Sequence, residues 1–151
     1  MATTSPVPSF VRLGNILTTT LLRAGLKMGA PGGFPMYLLT VRGRKSGQPR
    51  TTPIVILERE GKRYLASPYG IVDWVRNVRA AGEAILTRAR RDEQVRVREL
   101  APKEAALVLK GSIEQGMPSF LGKYFEVTAQ SSPEEFELAA ARHPVFSLEK
   151  K

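Results

Sequence analysis

The chain has 151 residues, 42% of them hydrophobic, with 23 Lys and Arg against 14 Asp and Glu. That length supports one globular core and argues against a multidomain enzyme, a coiled coil or a disordered tail. Zero Cys and a single His, His143, exclude thiolate zinc sites, disulfides, iron–sulfur clusters, Cys nucleophiles and multi-His metal centres. One of the longest aliphatic runs is only Ile54-Val55-Ile56-Leu57, far short of the roughly 18 residues a membrane-spanning helix needs. With no secretory apolar region either, a cytoplasmic location is expected. The formal charge of +9 is uneven: up to Arg50 there are seven basic residues and no acid, and the first acid is Glu58. An anionic partner is therefore expected on one side of the fold, whether nucleic acid, an anionic membrane surface or a phosphorylated or polycarboxylate cofactor.

Residues 1–8 mix Ser, Thr and Pro without periodicity and read as a flexible terminus, leaving residues 9–151 as a single domain. Phe10, Leu13, Leu17, Leu21 and Leu22 then recur at helical steps among Arg12, Thr18, Thr19 and Arg23, which predicts an amphipathic helix ending near Gly25 to Gly29. Such a helix could pack on the barrel, cover a pocket, or rest on an anionic membrane as a peripheral contact. Ala30-Pro31-Gly32-Gly33 reads as a loop. Met36 to Val41 and Thr51 to Leu57 read as two strands around the basic segment Gly43-Arg44-Lys45-Ser46-Gly47-Gln48-Pro49-Arg50.

Glu60-Gly61-Lys62 supplies the next turn, and Arg63 to Ser67 a third strand that Pro68-Tyr69-Gly70 terminates. Trp74, Val75 and Val78 have helical spacing within Asp73 to Ala81, with Gly82 as the stop. Ala84 to Thr87 and Gln94 to Arg98 form a hairpin about the turn Arg90-Arg91-Asp92-Glu93. Pro102 opens a helix expected to stop around Gly111, and Ser132-Pro133-Glu134-Glu135 signals the start of another that runs to about Arg142. Val145 to Leu148 returns as a last strand. Strands separated mostly by short turns predict a small antiparallel barrel with flanking helices, an α+β chain that is mainly β.

The segment from Gly43 to Arg50 sets three cations, a hydroxyl and two glycines in a tight loop. Arg offers a planar fork for phosphate or carboxylate, Lys a point charge, and Gly lets backbone amides approach an anion. A solvated hairpin tip would carry the same composition, so the pattern alone leaves both readings open. Neither a Walker A loop nor a Gly-x-Gly-x-x-Gly turn is present.

Met36-Tyr37-Leu38-Leu39-Thr40-Val41-Arg42-Gly43-Arg44-Lys45-Ser46-Gly47-Gln48-Pro49-Arg50 resembles the Leu-Thr-Thr-x-Gly-Arg-Lys-Ser/Thr-Gly-x-x-Arg signature of the deazaflavin-dependent nitroreductase family. Pro53, Ala66-Ser67 and the segment from Trp74 to Ala81 resemble that family's later motifs, in the same order. Thr52, Pro68-Tyr69-Gly70 and Ala80-Ala81-Gly82 depart from its common pattern. The resemblance implies a split β-barrel of the FMN-binding type, with the deazaflavin coenzyme F420, ahead of FMN, lying across the sheet. It implies that Arg44, Lys45, Ser46 and Arg50 hold the coenzyme's phosphate and tail carboxylates. Thr52, Pro53, Ala66, Ser67, Asp73, Trp74 and Asn77 would complete the coenzyme site.

The implied activity is hydride transfer from reduced F420 to a small apolar or electron-poor acceptor: a quinone, an enone or a nitro compound. Ser67, Tyr69 and Tyr124 are the candidate proton donors or substrate contacts, whereas His143 reads as a surface or helix-end residue. Two other readings compete. One is a non-catalytic F420- or flavin-binding barrel. The other, ranked behind, is a nucleic-acid module suggested by the basic strand face of Arg96 and Arg98, although aromatic residues make up only 7% of the chain and offer few stacking platforms.

Overall fold

The computed structural model describes residues 9–30, 33–117 and 123–151. The N-terminal stretch 1–8, Pro31 and Gly32 of the expected loop, and residues 118–122 lie outside them. Helix α1 (Ser9–Arg23) precedes strands β1 (Gly29–Ala30), β2 (Phe34–Arg42), β3 (Pro49–Val55), β4 (Leu57–Arg59) and β5 (Lys62–Ala66). Helix α2 (Asp73–Ala81), strands β6 (Glu83–Arg88) and β7 (Arg91–Glu99), helices α3 (Pro102–Gln115) and α4 (Pro133–Arg142), and strand β8 (Val145–Lys150) follow.

The strands form one antiparallel sheet in the order β1-β2-β6-β7-β8-β5-β4, with β3 off this path and paired to β2. Because β4 follows β3 across one residue, the stretch from Pro49 to Arg59 belongs to both ends of that sheet and closes it into a barrel. Ile56 marks the corner. Its N–H still donates to Pro35 O of β2 at 2.9 Å, while from Leu57 onward the chain pairs with β5 instead. The run expected as one strand from Thr51 to Leu57 is thus two strands with different partners. The architecture is the α+β split barrel that the resemblance implies.

Two apolar clusters flank the barrel wall. Inside are Leu39, Val41, Ile54, Ile56, Leu65, Leu86, Val95 and Phe146, joined by Val75 and Val78 of α2. Outside, Phe34, Leu57, Leu109, Phe125, Phe136 and Val145 pack beneath α3 and α4. Successive residues Val145 and Phe146 on β8 therefore face opposite clusters, which is how a strand with two buried faces holds the layers together.

Two local expectations change. The β6–β7 turn is Ala89-Arg90, both at positive φ (51° and 61°), so Arg91 pairs with Arg88 instead of belonging to the turn. Helix α3 runs through Gly111 and stops at Gly116, in the left-handed conformation at φ 114°. Gly111 serves a different purpose: the guanidinium of Arg59 lies where its Cβ would be, and Arg59 Nη1 donates to Leu107 O at 3.2 Å. The Ser132 cap does form, its Oγ accepting from Glu135 N at 3.1 Å.

Candidate functional site

The β2–β3 loop is rigid by its own hydrogen bonds. Gly43 N–H donates to Gln48 O at 2.8 Å, Gly47 N–H to Gly43 O at 2.9 Å, and Gln48 N–H to Ser46 Oγ at 3.2 Å. Gly43 admits this closure, since a Cβ there would come within 2.9 Å of Ser46 Oγ and 3.0 Å of Gln48 O. Gly47, at φ 71°, makes the left-handed turn.

Asn77 ties the loop to α2. Buried on the inner face of the helix, its Oδ1 accepts from Arg44 N at 3.1 Å and from Arg44 Nη1 at 2.8 Å. Asp73, exposed at the start of α2, lies 3.5 Å from Arg44 Nη2 and 3.6 Å from Arg76 Nη1. Lys45 on the loop and Arg50 at the start of β3 are exposed and pair with no acid among the described residues. Val72, ahead of α2, offers its first turn no side-chain cap, leaving the positive end of the helix available to an anion.

These groups border a cleft of about 970 Å³. The basic loop and the first turn of α2 form one end. Thr51, Thr52 and Pro53 of β3, Ala66 at the end of β5 and Pro68 beyond it line its length, and Val11, Arg12 and Asn15 of α1 its rim. Tyr69, Met117 and Phe125 stand at the other end. Trp74 reaches the cleft while its ring packs 5.9 Å from that of Phe146, so it serves core and cleft together.

The fold thus brings Arg44, Lys45, Ser46, Arg50, Thr52, Pro53, Ala66, Tyr69, Asp73, Trp74 and Asn77 to one cleft. Ser67 is placed differently. It is fully buried, and its hydroxyl donates to Gly70 O, which holds the Pro68–Gly70 turn and keeps the hydroxyl hydrogen from the cleft. Tyr124 stands against Tyr69, ring centroids 4.8 Å apart and edge to face. Burial, and then the neighbouring Tyr124, push the Tyr69 phenol above its usual range, so it keeps its proton at neutral pH.

His143 is no surface residue. It ends α4 as expected but is buried, with Phe125 edge-on at 5.3 Å and Nδ1 3.1 Å from Ser67 O. A carbonyl only accepts, so Nδ1 carries the hydrogen. Nε2 has no hydrogen-bond partner and lies 3.7 Å from Glu126 Oε2. Burial pushes this imidazole below its usual range against the opposing pull of Ser67 O and Glu126. His143, Phe125 and the α1 rim were not singled out from the sequence as site residues; only the apolar repeat of α1 pointed toward one of them.

The sequence profile of the F420H(2)-dependent quinone reductase family matches residues 18–130. A solved structure described as F420-H2 dependent reductase (FDR-A) is 23% identical with a TM-score of 0.54, over 76% of this chain and 93% of that one. Another, described as a domain-swapped dimer, is 22% identical with a TM-score of 0.56, over 93% and 97% of the two chains. A structure of a putative 5-nitroimidazole antibiotic resistance protein from Bacteroides thetaiotaomicron is 10% identical with a TM-score of 0.52, over 83% and 82%. No curated protein sequence matches the chain. At these identities the structural likenesses establish the fold alone.

Proposed function

The chain belongs to the F420H2-dependent quinone reductase family and is an F420H2-dependent reductase; from that premise we propose that its cleft holds reduced F420 beside a small electron-poor acceptor, a quinone, an enone or a nitro compound. The observation that carries this reading is the chemistry of the cleft's two ends. Lys45 and Arg50, together with the loop amides and the uncapped first turn of α2, suit a phosphate and carboxylates. The flat stretch of Thr52, Pro53 and Ala66 with the edge of Trp74 suits a planar ring system. The donor set therefore fits the coenzyme, and its cations exceed what the single phosphate of FMN calls for.

When bound, the coenzyme supplies hydride to the acceptor. The protein's own residues do the rest. Asn77 fixes Arg44, and through it the loop, so the cations are preorganised at little cost on binding. Asp73 offsets part of the positive field and lowers affinity for unselective anions. Tyr69 keeps its phenolic proton available at the far end of the cleft and is the proposed proton donor to the reduced acceptor, with Tyr124 positioning it by ring contact. Ser67 holds the turn that carries Tyr69.

Fluorescence titration with F420, in parallel with FMN, tests the binding; an assay with reduced F420 against one member of each acceptor class tests turnover. Binding of F420 in the micromolar range or tighter, with turnover that NADPH does not support, is expected. Equal affinity for FMN, unchanged by Lys45→Ala and Arg50→Ala, would overturn the assignment of the loop.

A further inference from the structure

The last rung of the β5–β8 ladder is left incomplete by the sequence. Ala66 pairs with Val145, and the next antiparallel partners are Ser67 and Pro144. A hydrogen-bonded pair of this kind exchanges two N–H···O bonds. Ser67 N–H donates to Pro144 O at 3.0 Å, but proline has no N–H to return. Ser67 is fully buried, so its carbonyl cannot turn to water for the missing donor. Gly70 N–H reaches that carbonyl only at 3.4 Å.

His143, the residue before this proline, supplies the bond from its side chain. Nδ1–H donates to Ser67 O at 3.1 Å. Helix α4 ends at Arg142, and the backbone of His143 leaves the helical region at φ −125° and ψ 83°, as the residue ahead of a proline tends to do. The bond lies where the reaction needs order. Ser67 opens the turn that carries Tyr69, its hydroxyl donating to Gly70 O, and Val72 N–H donates to the same oxygen at 3.1 Å. Gly70, at φ 82°, stands close to the end of α4: a Cβ there would lie 3.5 Å from Arg142 O. The imidazole also packs edge to face with Phe125, which lines the cleft next to the Tyr124 whose ring meets Tyr69. One side chain thus touches both segments that bring tyrosines to the aromatic end.

We propose that His143 is the positioning residue of this end of the cleft: standing in for the N–H that Pro144 lacks, its imidazole fixes the turn that presents Tyr69 to the acceptor. It acts as the neutral ring with its hydrogen on Nδ1. Its part in turnover rests on the proton-donor role proposed above for Tyr69, whereas its hold on the turn does not.

Two kinds of measurement separate the hold from the role. His143 is the chain's only histidine, so long-range nitrogen–proton correlation spectra read its tautomer without overlap, and hydrogen on Nδ1 at neutral pH is expected. The variants are His143→Leu, which removes the donor at similar size, and His143→Leu/Pro144→Ala, which returns a main-chain N–H to the same rung. In His143→Leu the amides of Gly70 and Val72 should exchange about tenfold faster than in wild type, and kcat with menadione should fall about fivefold. The Kd for F420 should stay within about twofold, because the basic end is distant and untouched. The double variant should recover most of both losses. A histidine that only filled space would be replaced by leucine without loss, and the added N–H would restore nothing. Hydrogen on Nε2, unchanged amide exchange in His143→Leu, or a double variant no better than the single one overturns the proposal, the first of these even if neither variant folds. Faster exchange with kcat unchanged would instead sink Tyr69 as the proton donor and leave the fastening of the turn standing.

Discussion

The two ends of the cleft are built by different means. The basic end is made within a few residues of sequence: Gly43, Ser46, Gly47 and Gln48 close the loop by their own hydrogen bonds, and one buried amide, Asn77, fastens it to α2. At the aromatic end, three distant segments meet at His143. One is the turn after β5 that carries Tyr69, another the segment of Tyr124, Phe125 and Glu126, and the third the end of α4. The basic end depends on charge and local geometry, the aromatic end on tertiary packing. Damage to each should therefore appear in different measurements.

The largest effect expected is from Asn77→Ala. It leaves Arg44 N and Nη1 without their shared buried acceptor, so F420 affinity and folding stability should each fall by about 2–3 kcal/mol. A double-mutant cycle with Arg44→Ala checks this; additivity of the two would separate the loop from the helix and break the picture of a fastened basic end. Next come Lys45→Ala and Arg50→Ala. Each should weaken F420 binding by about 1–2 kcal/mol, less at high salt, with little change in melting temperature because both side chains are exposed.

At the other end, Tyr69→Phe should lower kcat about tenfold while leaving the Kd for F420 unchanged, read by stopped-flow and titration. A matching loss in coenzyme affinity would mean that the two ends are not separable. The smallest effect is on pH-dependent stability. His143 is held below its unfolded value, so between those two values the unfolded chain binds the extra proton. Stability is then full above about pH 6.5 and declines as pH falls below it. His143→Gln should flatten that portion of a denaturation series. The Arg63–Glu93 pair acts in a lower window: Arg63 holds Glu93 below the usual carboxylate range, so its contribution is lost only as pH falls below about 4.5.

The same contrast governs what was legible in the sequence. The basic loop, α2 with its Gly82 stop, and the Ser132 cap follow from neighbouring residues, and all three form. Gly111 misled because a glycine inside a helical pattern reads as a stop, while its reason, room for Arg59, lies 52 positions away (111 minus 59) in β4. Ile56 gave no sign of a corner, since Ile54 to Leu57 is uniformly apolar and only the change of partner from β2 to β5 reveals the bend. His143 was hidden for a similar reason: its burial comes from segments whose approach no local pattern encodes. For α1, periodicity identified two faces but not which of them meets the protein.

The last strand has a kinetic consequence. β8 pairs with β5 along one edge and with β7 along the other, and so joins those two strands in the sheet. During synthesis, β2 to β5 and then β6 to β7 can form from near neighbours, yet the wall between β5 and β7 stays open until Val145 to Lys150 has emerged. Until then the inward face of Leu65 and Val95 has no Phe146 or Leu148 to cover it, and two strand edges stand unpaired. The nascent protein is thus most exposed to aggregation at the moment just before its barrel is complete.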